Sequence, residues 1–144
     1  MKGYSIFTPL IKNMLEALEE QDNVLLFSEV RYGHKKEFTG FPTAEFYKKA
    51  GGGRVADTHS NERTWSYTLL LIYEFTGNKT RAEAETILDT AVDMVNEAFD
   101  KNSDLSGNCM KVDVAEENFY DIMLEEPFIF AEFTITIHDF VDRA

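Results

Sequence analysis

The chain has 144 residues and a mass of 16.5 kDa, the size of a single domain. Hydrophobic residues make up 44% and aromatic residues 13%, enough apolar material to fill a core and to exclude a wholly disordered chain. With 14 basic and 26 acidic residues the net charge is −12, which excludes nucleic-acid binding through bulk charge, because duplex affinity depends on neutralising phosphates.

Taken in chain order, the first helix is expected to start at Thr8. Its hydroxyl can cap a backbone N–H, and Pro9 suits the first helical position. Leu10, Ile11, Met14, Leu15 and Leu18 then recur at helical spacing. Residues 24–31 read as a strand with an apolar core, and residues 41–47 as a second strand, with Pro42 at its start or on an edge. Residues 48–61 form the most loop-like segment, because three consecutive glycines do not belong inside a helix or strand. Residues 64–75 give the clearest strand. Trp65, Tyr67, Leu69, Leu71 and Tyr73 line one face; Leu70 and Ile72 share the other with Thr64, Ser66 and Thr68.

A second helix follows, capped by Asn78 or by Thr80, which begins the capping box Thr80-Arg81-Ala82-Glu83. Ala84, Ile87, Leu88, Ala91, Val92, Val95 and Phe99 mark its buried face. Glu85, Asp89, Asp93, Glu97 and Asp100 make the other face acidic. A loop over 101–108, a short strand over 110–114 and a long strand over 128–140 complete the chain. The order α-β-β-β-α-β-β implies an α+β domain spanning residues 1–144, with a mostly antiparallel sheet and both helices on one face.

Catalytic and metal signatures fail on spacing. His34, His59 and His138 form no ligand pattern with one another or with Cys109. The Asp100-Lys101-Asn102-Ser103-Asp104 run starts like a calcium loop but has Leu105 where glycine is needed and Lys111 where Glu is needed. Gly51-Gly52-Gly53 lacks the Lys-Ser/Thr of a phosphate loop. The Glu116-Glu117 and Glu125-Glu126 pairs read as solvated. No enzyme and no cofactor are expected. The lone Cys109 forms no intramolecular disulfide, so nothing implies an oxidising compartment. The chain opens on no secretory signal, and no stretch approaches the ~20 apolar residues of a membrane helix, so a soluble cytosolic protein is expected.

Two features point outward. The segment 31–63 holds seven basic and four acidic residues, against seven and 22 in the remainder, which suggests a basic edge on an acidic body. The second face of the long strands shows Leu70, Ile72, Phe128 and Phe130. Either long loops of the chain or another subunit could cover them.

The chain resembles the tail terminator, or tail completion, proteins of long-tailed bacteriophages. The likeness spans nearly the whole sequence. It rests on a short helix beginning near Phe7-Thr8-Pro9, the strand start Gly40-Phe41-Pro42-Thr43-Ala44, the entry Ser60-Asn61-Glu62-Arg63-Thr64-Trp65 into a long apolar strand, and Leu105-Ser106-Gly107 after the second helix. The resemblance implies a virion structural protein, assembled in the host cytoplasm. Its subunits form a ring, usually of six, on the head-proximal end of the tail tube, stop tube polymerisation and offer a surface to the head connector. DNA would be only passing cargo in an acidic channel. On this reading Lys48, Lys49, Arg54, His59 and Arg63 contact partners, and Leu70, Ile72, Phe128 and Phe130 lie between subunits. Two alternatives stay open: a head-completion or neck connector, and a small α+β enzyme or ligand-binding domain with a pocket between Trp65, Tyr67 and Tyr73 and the helices.

Overall fold

A computed structural model describes residues 3–33, 37–49, 62–74, 80–119 and 128–140. Along the chain run α1 (Tyr4–Glu16), a single 3-10 turn (Gln21–Asn23), β1 (Glu29–Tyr32), β2 (Thr43–Lys48), β3 (Glu62–Glu74), α2 (Arg81–Lys101), β4 (Lys111–Phe119) and β5 (Phe128–Phe140). The fold is α+β, in the expected order. The strands make one sheet in the order β1-β2-β3-β5-β4. Every pairing is antiparallel except that of β1 with β2, which run parallel from Glu29 opposite Thr43 to Tyr32 opposite Phe46.

The centre of the sheet is the β3–β5 ribbon, in register from Glu62 opposite Phe140 to Glu74 opposite Phe128. Alternation sends Trp65, Tyr67, Leu69, Leu71 and Tyr73 of β3, and Ile129, Ala131, Phe133, Ile135 and Ile137 of β5, into one core. From the helices, Phe7, Ile11 and Leu15 of α1 and Ala84, Leu88, Ala91, Val92, Val95 and Phe99 of α2 close the same core. Thr80 caps α2 as expected, accepting from the Glu83 N–H at 3.2 Å.

The first helix starts earlier than Thr8. Its cap is Gly3, and no side chain bonds to the N-terminal N–H groups. Burial explains the shift. Phe7, Ile11 and Leu15 repeat every four residues, and Phe7 packs edge-on against Trp65 with ring centroids 5.0 Å apart. Thr8 instead shares a 2.7 Å hydrogen bond with the Tyr67 hydroxyl.

The expected strand over 24–31 shrinks to Glu29–Tyr32. Asp22 and Asn23 take positive φ, the Glu20 N–H donates to the Val24 carbonyl at 2.7 Å, and Glu19 bridges Leu25. The apolar run is thereby split: Val24 and Leu25 face solvent while Leu26 and Phe27 turn inward. The expected strand over 41–47 begins instead at Thr43, after a cis Phe41–Pro42 peptide. The strand expected over 110–114 extends to Phe119, with a bulge between Glu116 and Asn118 that breaks its register against β5.

The face of the sheet away from the helices is covered by the chain itself at one end. Leu70, Ile72 and Phe130 are only 5–6% exposed and cluster with Phe38, Phe41, Tyr47 and the half-buried Phe128. The segment carrying Phe38 and Phe41 is pinned to the start of β1: Ser28 donates through its N–H to the Pro42 carbonyl and through its hydroxyl to the Phe41 carbonyl, both at 2.9 Å. The chain's own aromatic side chains thus cover Leu70, Ile72 and Phe130 at this end of the sheet.

Tyr67 carries a testable pH dependence. Burial pushes its phenol well above the ordinary 10.0, only partly offset by the bond to Thr8, and burial raises Tyr32 and Tyr47 in the same direction. The folded state thus holds these protons where the unfolded chain has released them. Their contribution to stability is fully present below about pH 10 and is lost as pH rises through the higher folded values. Urea unfolding from pH 9 to 11.5 should therefore show stability falling above about pH 10, with a shallower slope in Tyr67→Phe. Equal slopes in the two proteins would refute the assignment.

Candidate partner interface

Lys48 ends β2 and Arg63 opens β3, so the fold gathers Lys48, Lys49 and Arg63 at one end of the sheet, on either side of the connection between those strands. Arg54 and His59, also expected to contact partners, lie outside the described residues. Lys48 and Arg63 point to the helix side of the sheet. The Lys48 ammonium sits 4.8 Å from the centre of the Tyr4 ring, and the Arg63 guanidinium 5.7 Å from that of Trp65. Lys49 turns to the opposite face and donates to the Thr134 hydroxyl at 3.0 Å. All three cations are exposed. The aromatic rings and the threonine hydroxyl contact the charged groups themselves and hold them in place at the surface.

Exposed apolar side chains lie on the elements around them, spread along the sheet, with Tyr32 level with Phe133 in the register, seven residues from Phe140. Ile6 lies in the first turn of α1, beside the start of β3. Tyr32 ends β1, and Phe140 ends β5 opposite Glu62. On the far face of the same end, His138 lies between two carboxylates, with Nδ1 3.0 Å from Glu62 and Nε2 2.9 Å from Asp113. Its two ring nitrogens are thus both engaged. Among the described residues no group of three His, Cys, Asp or Glu side chains is arranged to hold a metal ion.

Not every basic residue of segment 31–63 belongs to this surface. Arg31 is 3% exposed, and its guanidinium bonds fully buried Glu45 through Nε at 2.9 Å and through Nη2 at 2.8 Å. Glu29 takes Nη1 at 3.0 Å, the Glu37 carbonyl accepts from Nη1 at 2.6 Å, and the guanidinium carbon lies 4.5 Å from the centre of the Phe38 ring. Arg31 ties β1 to β2 and to the aromatic cover. It offers no free charge to a partner.

Acidic groups are exposed elsewhere. Asp89, Asp93, Glu97 and Asp100 follow one another at helical spacing on the solvent side of α2. Lys101 donates to Glu97 and holds that carboxyl below the usual range. Beside this row lies an open hollow of about 480 Å³, lined by Glu19 and Glu20 on one side and Thr90 and Met94 of α2 on the other. Val24 and Leu25, each 56% exposed, project from the same turn as Glu19 and Glu20. This acidic and apolar patch was not legible beforehand, because residues 24 and 25 read as the start of a buried strand.

A second hollow of about 300 Å³, between α1 and the loop after α2, is lined by Leu10, Asn13, Met14, Asn102, Leu105 and Ser106. Trp65, Tyr67 and Tyr73, which the alternative ligand-binding reading would place around a pocket, are buried in the core against the helices. Cys109 is buried as well. Among the described residues no helix is long and apolar enough to cross a membrane. The chain matches no protein-family model, and the search of curated proteins gives no match.

Proposed function

We propose that this chain is a phage tail terminator: a virion structural protein that caps the end of the tail tube as a ring, ends tube polymerisation and presents the surface to which the head joins. Its role is mechanical, without cofactor, and its partners are copies of itself, the tube protein and a head connector. The observation that carries the reading is the segregation of surface charge. An exposed acidic row runs along α2, while the exposed cations Lys48, Lys49 and Arg63 are displaced to one end of the sheet. An acidic wall would let DNA pass without sticking, since like charge repels phosphate, and a basic rim would grip an acidic neighbour. The sequence patterns that resemble those of the tail terminator family, carried on an α+β domain, support the same reading.

Electron microscopy of phage particles assembled without this chain tests it. Overlong tail tubes beside free, DNA-filled heads are the expected result. Tails of normal length beside unattached heads would move the chain to the head side, as a neck connector. Intact infectious particles would remove both readings.

A further inference from the structure

We propose that the hollow between the 19–25 turn and α2 receives the Lys48–Lys49–Arg63 end of a second copy of this chain. The proposal deepens the ring reading and rests on it for closure of the ring. It is carried by the pairing of two surfaces. Among the described residues the large exposed apolar side chains fall into two groups. Val24 and Leu25 stand beside Glu19 and Glu20; Ile6, Tyr32 and Phe140, with Met110 next to the last rungs of β5, stand at the end that carries the three exposed cations. The first group is an apolar patch bordered by acidic charge, the second is strung along the basic end of the sheet, and the two surfaces have opposite sign.

One chain cannot satisfy both patches itself. The Lys48 ammonium lies over Tyr4, the first residue of α1, and the hollow opens beyond its last residue, Glu16. Thirteen helical residues, about 20 Å, separate them. On this proposal the complement is a second copy of the chain. Because the two patches are different surfaces, the contact is head-to-tail, the kind that closes into a ring when the rotation between copies allows it. The hollow offers Thr90 and Met94 as floor, and a lysine can lay its alkyl stem across such a surface while its ammonium reaches Glu19 or Glu20.

Sedimentation of the purified chain over a range of concentration and salt tests the contact. Reversible association that weakens as salt rises is expected. The double variants K48E/K49E and E19K/E20K should each lose association by about tenfold or more. An equimolar mixture of the two should regain it, because each then meets a complementary surface on the other. All four positions are exposed, and thermal melts of the variants should match the wild type. A chain that stays monomeric throughout, variants that associate like wild type, or a mixture that regains nothing would each overturn the proposal. The two readings fail separately. If tails overrun without the chain yet end at normal length with either double variant, this interface falls and the terminator role stands. If charge-swap rescue is seen in a chain whose loss leaves tails unchanged, the reverse holds.

Discussion

Replacing Arg31 with methionine should destabilise the fold by roughly 3–5 kcal/mol, and adding Glu45→Leu should recover most of that loss. The pair is directly opposed in the parallel β1–β2 register, with Arg31 3% exposed and Glu45 fully buried. The attraction between the two charges offsets the cost of taking them out of water. Removing the guanidinium leaves a carboxylate in an apolar site with its main compensation gone. Two apolar side chains of similar volume carry no such cost. They would lie beside Phe38, whose ring now packs on the guanidinium. Urea unfolding of the wild type, both single variants and the double variant gives the coupling directly. A single variant costing under about 1 kcal/mol, or a double variant no better than the worse single, would show that the pair is not the fastening between β1 and β2 described above.

Phe7→Ala should cost a similar amount, about 3–5 kcal/mol, by a different route. Phe7 is fully buried and meets Trp65 edge-on, so truncation leaves a cavity between α1 and β3. A 13-residue helix is marginal in water, so α1 depends on this packing and on the Thr8–Tyr67 hydrogen bond beside it. Hydrogen exchange should show α1 losing protection in the variant while α2 and the β3–β5 ribbon keep theirs. Uniform loss across the protein would mean that α1 does not open as a separate unit. If the proposed contact between copies holds, the same variant should weaken it, because α1 lies between the two surfaces.

Legibility in the sequence followed the range of the forces involved. The β3, α2 and β5 elements were readable to within two residues, because alternation, a capping box and a periodic apolar stripe are all local signals. Thr8 and Pro9 misled at α1, since the dipeptide favours a helix start, yet Pro9 lies inside the helix and the burial of Phe7 against Trp65 overrides that preference. The Val24-Leu25-Leu26-Phe27 run looked like one buried strand. Backbone hydrogen bonds within the 19–25 turn divided it, and that division created half of the proposed interface. Arg31 counted toward a basic edge because its partner is 14 residues away and is found only through a parallel pairing. Leu70, Ile72 and Phe130 were seen as a shared face, but their cover came from Phe38 and Phe41, which no local pattern assigns to that face. Lys48, Lys49 and Arg63 share one end of the sheet because they flank one connection, though Lys49 turns to the opposite face.

The position of β5 has a consequence for biosynthesis. It follows every other strand in chain order, yet it lies inside the sheet, between β3 and β4. Glu62 meets Phe140 across 78 residues, so the longest ladder cannot close until β5 has left the ribosome. Until then β3 and β4 each present an unpaired edge, and α2 has only part of its floor. A nascent or truncated chain lacking β5 is therefore expected to remain open to proteases and chaperones, and only chains carrying β5 can reach the folded state. Synthesis itself thus sorts complete chains from incomplete ones, and in the proposed ring a single defective member would spoil the whole.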